Sequence, residues 1–238
     1  MNLSGKNSKG LSALLGGSNP LASAGIHTIN IHEVASNIYS VSRTLDKTLP
    51  TISSSLPKLH TLRLMNINFA LLSRPTQIAF ATGFESIKSL HVNSVTFGYF
   101  KDFTNLIAGH IYLDELHLSR IWWDIDEANS DELASETDVF SAKGGARYVQ
   151  FSSAASCRLV LKDIAIDITK WLASSRFPLT VRHLDFSSST GSDLHLLQEL
   201  LFRVGHRLHT LIVGLPALTY SLLGSQGKSE LHLRKVCD

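Results

Sequence analysis

Cysteine is almost missing from this chain of 238 residues: Cys157 and Cys237 are the two it has. Two cysteines cannot build a disulfide framework, and they suit a reducing compartment, cytoplasmic or nuclear. Long apolar runs are missing as well. No stretch approaches the roughly 18 residues needed to span a bilayer, so no membrane segment is expected. An excess of one charge is missing from the sum, since 22 Lys+Arg stand against 20 Asp+Glu. That balance gives no pull toward nucleic acid or a membrane surface, and no basic patch carries interleaved aromatics. Acids are absent before Glu33. Residues 1–25 are rich in Ser, Gly and Asn, and Gly16, Gly17 and Pro20 break up the apolar patch at Leu11–Leu15. A secretory signal needs a longer apolar stretch, so this segment is read as a disordered leader.

Catalytic signatures are missing too. The run Gly224-Ser-Gln-Gly227-Lys228-Ser229 glances at a phosphate loop, but the motif needs glycine where Leu222 stands. No G-x-S-x-G elbow occurs. The 11 histidines show no H-E-x-x-H or Cys/His spacing. The acids near 124–138 lack the alternating order of a calcium loop. No catalytic residue, cofactor or metal ligand is therefore expected.

What the chain does have is a repeated spacing. Leu59, Leu62, Leu64, Ile67 and Phe69 stand at offsets 0, +3, +5, +8 and +10. Ile87, Leu90, Val92, Val95 and Phe97 repeat those offsets 28 residues later, and Leu113, Leu116, Leu118, Ile121 and Trp123 repeat them after 26 more. Weaker copies begin at Ile26, Ser156, Val181 and Leu208, and Leu231, Leu233 and Val236 end the chain in the same pattern. The period suits one strand and one helix per unit. Helices are expected over 34–47, closed by Pro50 and the Thr/Ser run at 51–55; from Pro75; over 102–110; near 166–174; and over 193–204, capped by Ser192 or Asp193. Strands are expected at 59–64, 87–92, 113–118 and 181–186. Connections of this length imply parallel pairing with right-handed crossovers. The fold class expected is α/β: a leucine-rich-repeat-like solenoid over 26–238, with a parallel sheet of seven or eight short strands and helices on its other face.

Alternate side chains of a strand point to opposite faces. Offsets +3 and +5 point under the helices, so +2, +4 and +6 point outward. These outer positions hold Arg63, His91, Glu115, His117, Arg158, Lys162, His183 and Asp185, which are the candidate partner-binding residues. His91 and His117 share offset +4 in neighbouring units, so their side chains can lie about 5 Å apart. Two stacked imidazoles can seed a metal site or a pH switch. A metal needs a third ligand, and Arg63 occupies the same row, so the pair is read as two solvated histidines. Trp123 is in register with Phe69 and Phe97 and is expected in the core. Its neighbour Trp122 should point elsewhere, either as an exposed anchor for a partner or packed on the segment that follows.

That segment breaks the rhythm. Residues 124–142 carry 7 acids and no base, while 1–123 carry a net +4 and 143–238 a net +5. We read 124–155 as an acidic insertion in the loop after the third strong repeat, mobile and able either to dock on basic rows such as Arg158 and Lys162 or to capture a basic partner.

The stretch Leu56-Pro-Lys-Leu-His-Thr-Leu-Arg-Leu-Met-Asn-Ile-Asn-Phe resembles the repeats of fungal F-box and leucine-rich-repeat proteins. So do Ile87-Lys-Ser-Leu-His-Val-Asn-Ser-Val-Thr-Phe and Leu113-Asp-Glu-Leu-His-Leu-Ser-Arg-Ile-Trp-Trp, and the likeness covers about residues 26–236. In that family an F-box binds a Skp1-type adaptor and the repeats recruit a substrate for ubiquitin ligation. Two features depart from it. The family places Asn or Cys at offset +8, where this chain has Ile67, Val95, Ile121 and Ile164. No F-box precedes the first repeat, so an adaptor is expected only if an F-box lies upstream, and the ending Lys235-Val-Cys-Asp reads as truncated. The resemblance implies a protein-interaction scaffold, not an enzyme, with a protein partner of unknown identity and a role in substrate recognition by an SCF-type ligase. The rivals are a hydrolase or transferase with a dispersed, motif-less site, and a truncated family member without independent function. A tight pocket joining a carboxylate to a histidine of perturbed titration would favour the enzyme.

Overall fold

The computed structural model describes residues 2–3, 25–32, 38–53, 56–110, 112–124, 157–173, 181–187, 194–214 and 230–234. Strands β1 (Asn2–Leu3) and β2 (Thr28–His32) precede helix α1 (Ile38–Ser53). Strand β3 (Thr61–Met65), a 3-10 turn at Phe69–Leu71 and helix α2 (Arg74–Thr82) follow. Next come β4 (Ser89–Phe97), α3 (Phe100–Ala108) and β5 (Glu115–Trp123). The second half holds β6 (Cys157–Lys162), α4 (Ile166–Ala173), β7 (Val181–Ser187), α5 (Leu194–Val204), β8 (Thr210–Gly214) and β9 (Glu230–Arg234).

All nine strands form one sheet in chain order. From β2 to β8 every neighbouring pair is parallel. The class is therefore α/β, and the repeated spacing is the register itself. Leu62, Leu90, Leu116, Leu159, Leu184 and Leu211 stand side by side across six strands. Residues at +3 and +5 in β3 to β7 are buried in one cluster with Phe80, Phe103, Leu106, Ile168, Leu172 and Leu200 from the helices. The helices thus cover the inner face, and the burial of their apolar stripes stabilises both layers.

The turn that follows each strand also repeats. Asn66, Ser94, Arg120 and Asp163 all have positive φ, between 48° and 54°. Each stands at offset +7 of its unit. The chain bends there and brings the +8 residue back under the core, where Ile67, Val95 and Ile121 are buried. This answers how the turns manage without Asn or Cys at +8: a left-handed residue one position earlier makes the bend, and an apolar side chain fills the space. Backbone bonds then join neighbouring bends, such as Asn66 N–H to Asn93 O at 3.0 Å and Asp163 N–H to Ser187 O at 3.1 Å.

Helix starts follow local chemistry. Pro75 sits in the first turn of α2, where a missing N–H costs nothing. The Asp102 carboxylate accepts the Tyr99 N–H at 3.3 Å ahead of α3. Asp46 Oδ1, from α1, accepts the Ser73 N–H at 2.8 Å and ties two helices together. Gly109, just after α3, lies so close to Ala81 that a Cβ would stand 1.8 Å from its carbonyl oxygen.

Several expectations change. Helix α1 runs past Lys47 and through Pro50, and ends at Ser53 within the Thr/Ser run, with Ser53 Oγ donating to the Pro50 carbonyl at 3.1 Å. The last strand, β9, pairs antiparallel with β8 instead of parallel. Its spacing of 20 residues from the previous unit is the shortest in the chain, which leaves less length for a parallel crossover than any other unit has. Strands β4 and β5 are longer than expected, at 9 residues each, because they continue past the bend. Trp123 is only partly buried, packed edge-on against Phe100 with ring centroids 5.1 Å apart. Of the leader, Asn2–Leu3 forms β1 beside β2 and Gly25 is described; the rest of it, most of the acidic insertion and the cap of α5 lie outside the described residues.

Candidate functional site

The eight candidate residues come together on the outer face of β3 to β7. One row runs Arg63, His91, His117, Val160, Asp185 across the sheet. A second runs Thr61, Ser89, Glu115, Arg158, His183, and a third Met65, Asn93, Ser119, Lys162, Ser187. Parallel pairing in register puts them there, because the same offset recurs on strands about 4.8 Å apart.

Charges on this face are arranged in short networks. Ser89 Oγ donates to Glu115 Oε2 at 2.8 Å and also meets His91 Nε2 at 2.9 Å. The hydroxyl has one proton, and it goes to the carboxylate, so His91 donates from Nε2. Glu115 also lies 3.4 Å from His91 Nε2 and 3.8 Å from Arg158. Lys162 and Asp185 form a second pair at 3.8 Å. In both pairs the base stands out and the acid is recessed. The Arg158 and Lys162 side chains are 54% and 44% exposed, against 29% and 16% for Glu115 and Asp185. Arg63 is exposed as well.

The histidines are not simply solvated. The His91 and His117 rings lie 5.2 Å apart, tilted by 54°. Burial pushes His91 below the usual histidine value, helped by Arg63 and Arg158 and opposed by Glu115. Burial, with His91 and Lys162 on either side, pushes His117 down to about 4 against the pull of Glu115 and Asp185. His183 is lowered too, by burial and then by His209, Arg158 and Arg182. Val160, in the middle of the row, is 3% exposed although its offset points outward. A short valine between longer side chains on both neighbouring strands is shielded by them.

The Ser89, His91 and Glu115 contacts have the residue types of a hydrolytic triad but the wrong wiring. A triad needs the imidazole to accept the serine proton and the carboxylate to hold the other ring nitrogen. Here the carboxylate takes the serine proton, and it meets the same nitrogen that faces the serine. The cleft lined by Phe69, Arg74, Gln77 and Asp102 lies between α2 and α3, on the helix side. Among the described residues no group of three His, Cys, Asp or Glu can hold a metal. Burial raises the Cys157 thiol, which leaves it protonated and inert. Trp122 is 50% exposed, beyond the bend on β5 and paired in register with Thr96. Ser89 escaped the sequence reading as a site residue. Its offset beside Glu115 was visible, but a hydroxyl bridging two units has no sequence signature.

Fold and face together define an α/β protein with a seven-strand parallel sheet that presents one charged face. Comparison with family models, with curated proteins and with solved structures gives no match. Among the described residues no helix is long and apolar enough to cross a membrane.

Proposed function

We propose that the chain is a leucine-rich-repeat-like solenoid that serves as a protein-interaction scaffold and is not an enzyme. Its partner docks on the outer face of β3 to β7. The observation that carries this reading is the in-register assembly of eight polar and charged side chains on one sheet face, above a fully apolar opposite face. Open sheet faces of this kind offer a broad, rigid surface of mixed charge, which suits a protein better than a small molecule. The narrower reading, recognition of a substrate within an SCF-type ubiquitin ligase, rests on the resemblance of the repeats alone. Reproducible absence of a Skp1-type adaptor on purification from native cells would remove it.

The wider reading is tested by capture from native cells with three forms of the full chain. The first is unaltered. The second carries Arg63→Glu, Arg158→Glu and Lys162→Glu. The third carries Lys170→Glu on α4, which is exposed on the helix layer. The face variant should lose partners that the other two keep. An unchanged partner set in all three would sink the proposal.

A further inference from the structure

The relief of this face says what its partner is like. Both described carboxylates on the face, Glu115 and Asp185, are recessed and already held by Arg158 and Lys162. What projects is Arg63, Arg158 and Lys162, and between them lie the half-buried imidazoles of His91 and His117. An approaching chain therefore meets cations first and, among the described side chains on the outer rows of β3 to β7, finds no free carboxylate to pair with a lysine or arginine of its own. We propose that the partner contributes an acidic segment, laid along the row Arg63, His91, His117 between Arg158 and Lys162, and that docking it charges the two histidines. The inference rests on the scaffold reading above and deepens it.

The groups facing each ring set the sign. Around His91 stand Arg63 on β3, Glu115 on β5 and Arg158 on β6, with His117 beside it. Around His117 stand His91, Lys162, Glu115 and Asp185. In the free face burial and the nearby cations keep both rings neutral at pH 7. A carboxylate set above them favours the imidazolium, so binding takes up protons. Affinity should rise as pH falls toward the range where the partner's own carboxylates protonate. It should also fall with salt, because the face is exposed to screening.

The test uses the full chain and two labelled probes, an octaglutamate and an octalysine peptide, followed by fluorescence anisotropy at low salt. At about pH 5.5 octaglutamate should bind roughly twofold tighter than at about pH 7.5, because a modest exposed contact raises each imidazole by under about one pH unit and His117 starts from about 4. The variant H91Q/H117Q should bind at the higher pH as the unaltered chain does, and lose the pH dependence. Arg63→Gln should weaken binding at both pH values. Preference for octalysine, no binding of octaglutamate, or a pH dependence that survives H91Q/H117Q each overturns the proposal. So does light scattering that shows a second copy of the chain covering the face. If the triple face variant sheds cellular partners while octaglutamate fails to bind, the acidic-partner inference falls alone. If the partners stay, the scaffold reading falls with it.

Discussion

The units around β4 and β6 begin alike and end differently. Leu90 and Val92 in one, and Leu159 and Leu161 in the other, are equally buried under the helices. Past the left-handed bend the two part. In the first, Val95 and Phe97 continue as strand and are buried, and Phe97 lies between Phe69, at 4.9 Å, and Phe103, at 5.6 Å. In the second, β6 stops at Lys162, Ile164 is partly buried, and Ile166 is 48% exposed at the start of α4. The aromatic column does not stop there, however. Trp171 on α4 reaches Phe103 at 5.6 Å and Phe100 at 6.4 Å, edge-on in both cases. The first half of a unit is thus held by the sheet wherever it falls. The second half is held only where an aromatic at +10 fills the space under the helix, and downstream a helix residue takes over that task.

The sharpest way to break this comparison is to truncate the +10 residue in each unit. Phe97→Ala should cost about 3–5 kcal/mol, the usual range for a fully buried phenylalanine, because the tilted and edge-on rings of Phe69 and Phe103 cannot collapse into the space. Ile166→Ala should cost under about 1 kcal/mol, since the side chain is half in water. Urea unfolding of the full chain measures both. Equal losses would mean that the column is not what holds the middle units together.

Acid should separate the same regions with a somewhat smaller effect. His110, just past α3 in the middle units, is buried, and burial pushes it down to about 4. The backbone of Phe80 and Phe84 opposes the shift, but neither ring nitrogen makes a hydrogen bond of good geometry. His117 is held at about 4 as well. Both rings are neutral in the fold and titrate near 6.5 when unfolded, so the unfolded chain binds more protons between those values. Stability is fully present above about pH 6.5 and lost as pH falls toward about 4, by on the order of a few kcal/mol. A urea midpoint measured across that window should fall steeply for the unaltered chain and less steeply for His110→Leu. An unchanged slope in the variant would show that His110 titrates normally.

The middle units were the legible part of the chain. Five apolar offsets repeated three times fix strand register, the inner face and the parallel order, because packing demands the same side-chain type at the same depth in every unit. The outer rows followed from alternation alone, so Arg63, His91, Glu115, His117, Arg158, Lys162, His183 and Asp185 could be placed on one face without coordinates. What alternation cannot give is height. Recessed carboxylates, projecting bases and the Ser89 bridge depend on rotamers and on neighbours one unit away. The direction of β9 was hidden because apolar alternation reads the same in either direction. Pro50 does not end the helix, because it stands in the final turn, where its missing N–H leaves only the Asp46 carbonyl without its helical donor.

The smallest expected effect lies at the bends themselves, and it tests whether they are one device used four times. Asn66 and Asp163 are residue types that tolerate positive φ, and Ser94 Oγ donates to Asn93 Oδ1 at 3.0 Å, whereas Arg120 is an ordinary long side chain held in the same conformation. A left-handed conformation costs an ordinary L-residue roughly 1–2 kcal/mol, and glycine removes that cost while adding about 0.4–1 kcal/mol of unfolded-state freedom. Arg120→Gly should therefore stabilise the chain by up to about 1 kcal/mol, and Asn66→Gly should change it by only a few tenths. Asn66→Ala should destabilise it by about 1 kcal/mol, because alanine pays the full left-handed cost that asparagine tolerates. Thermal melting of the three variants gives an order, with Arg120→Gly highest and Asn66→Ala lowest. If Arg120→Gly melts below the unaltered chain, the arginine contributes something at its bend that conformation alone does not account for, and the equivalence of the four bends fails.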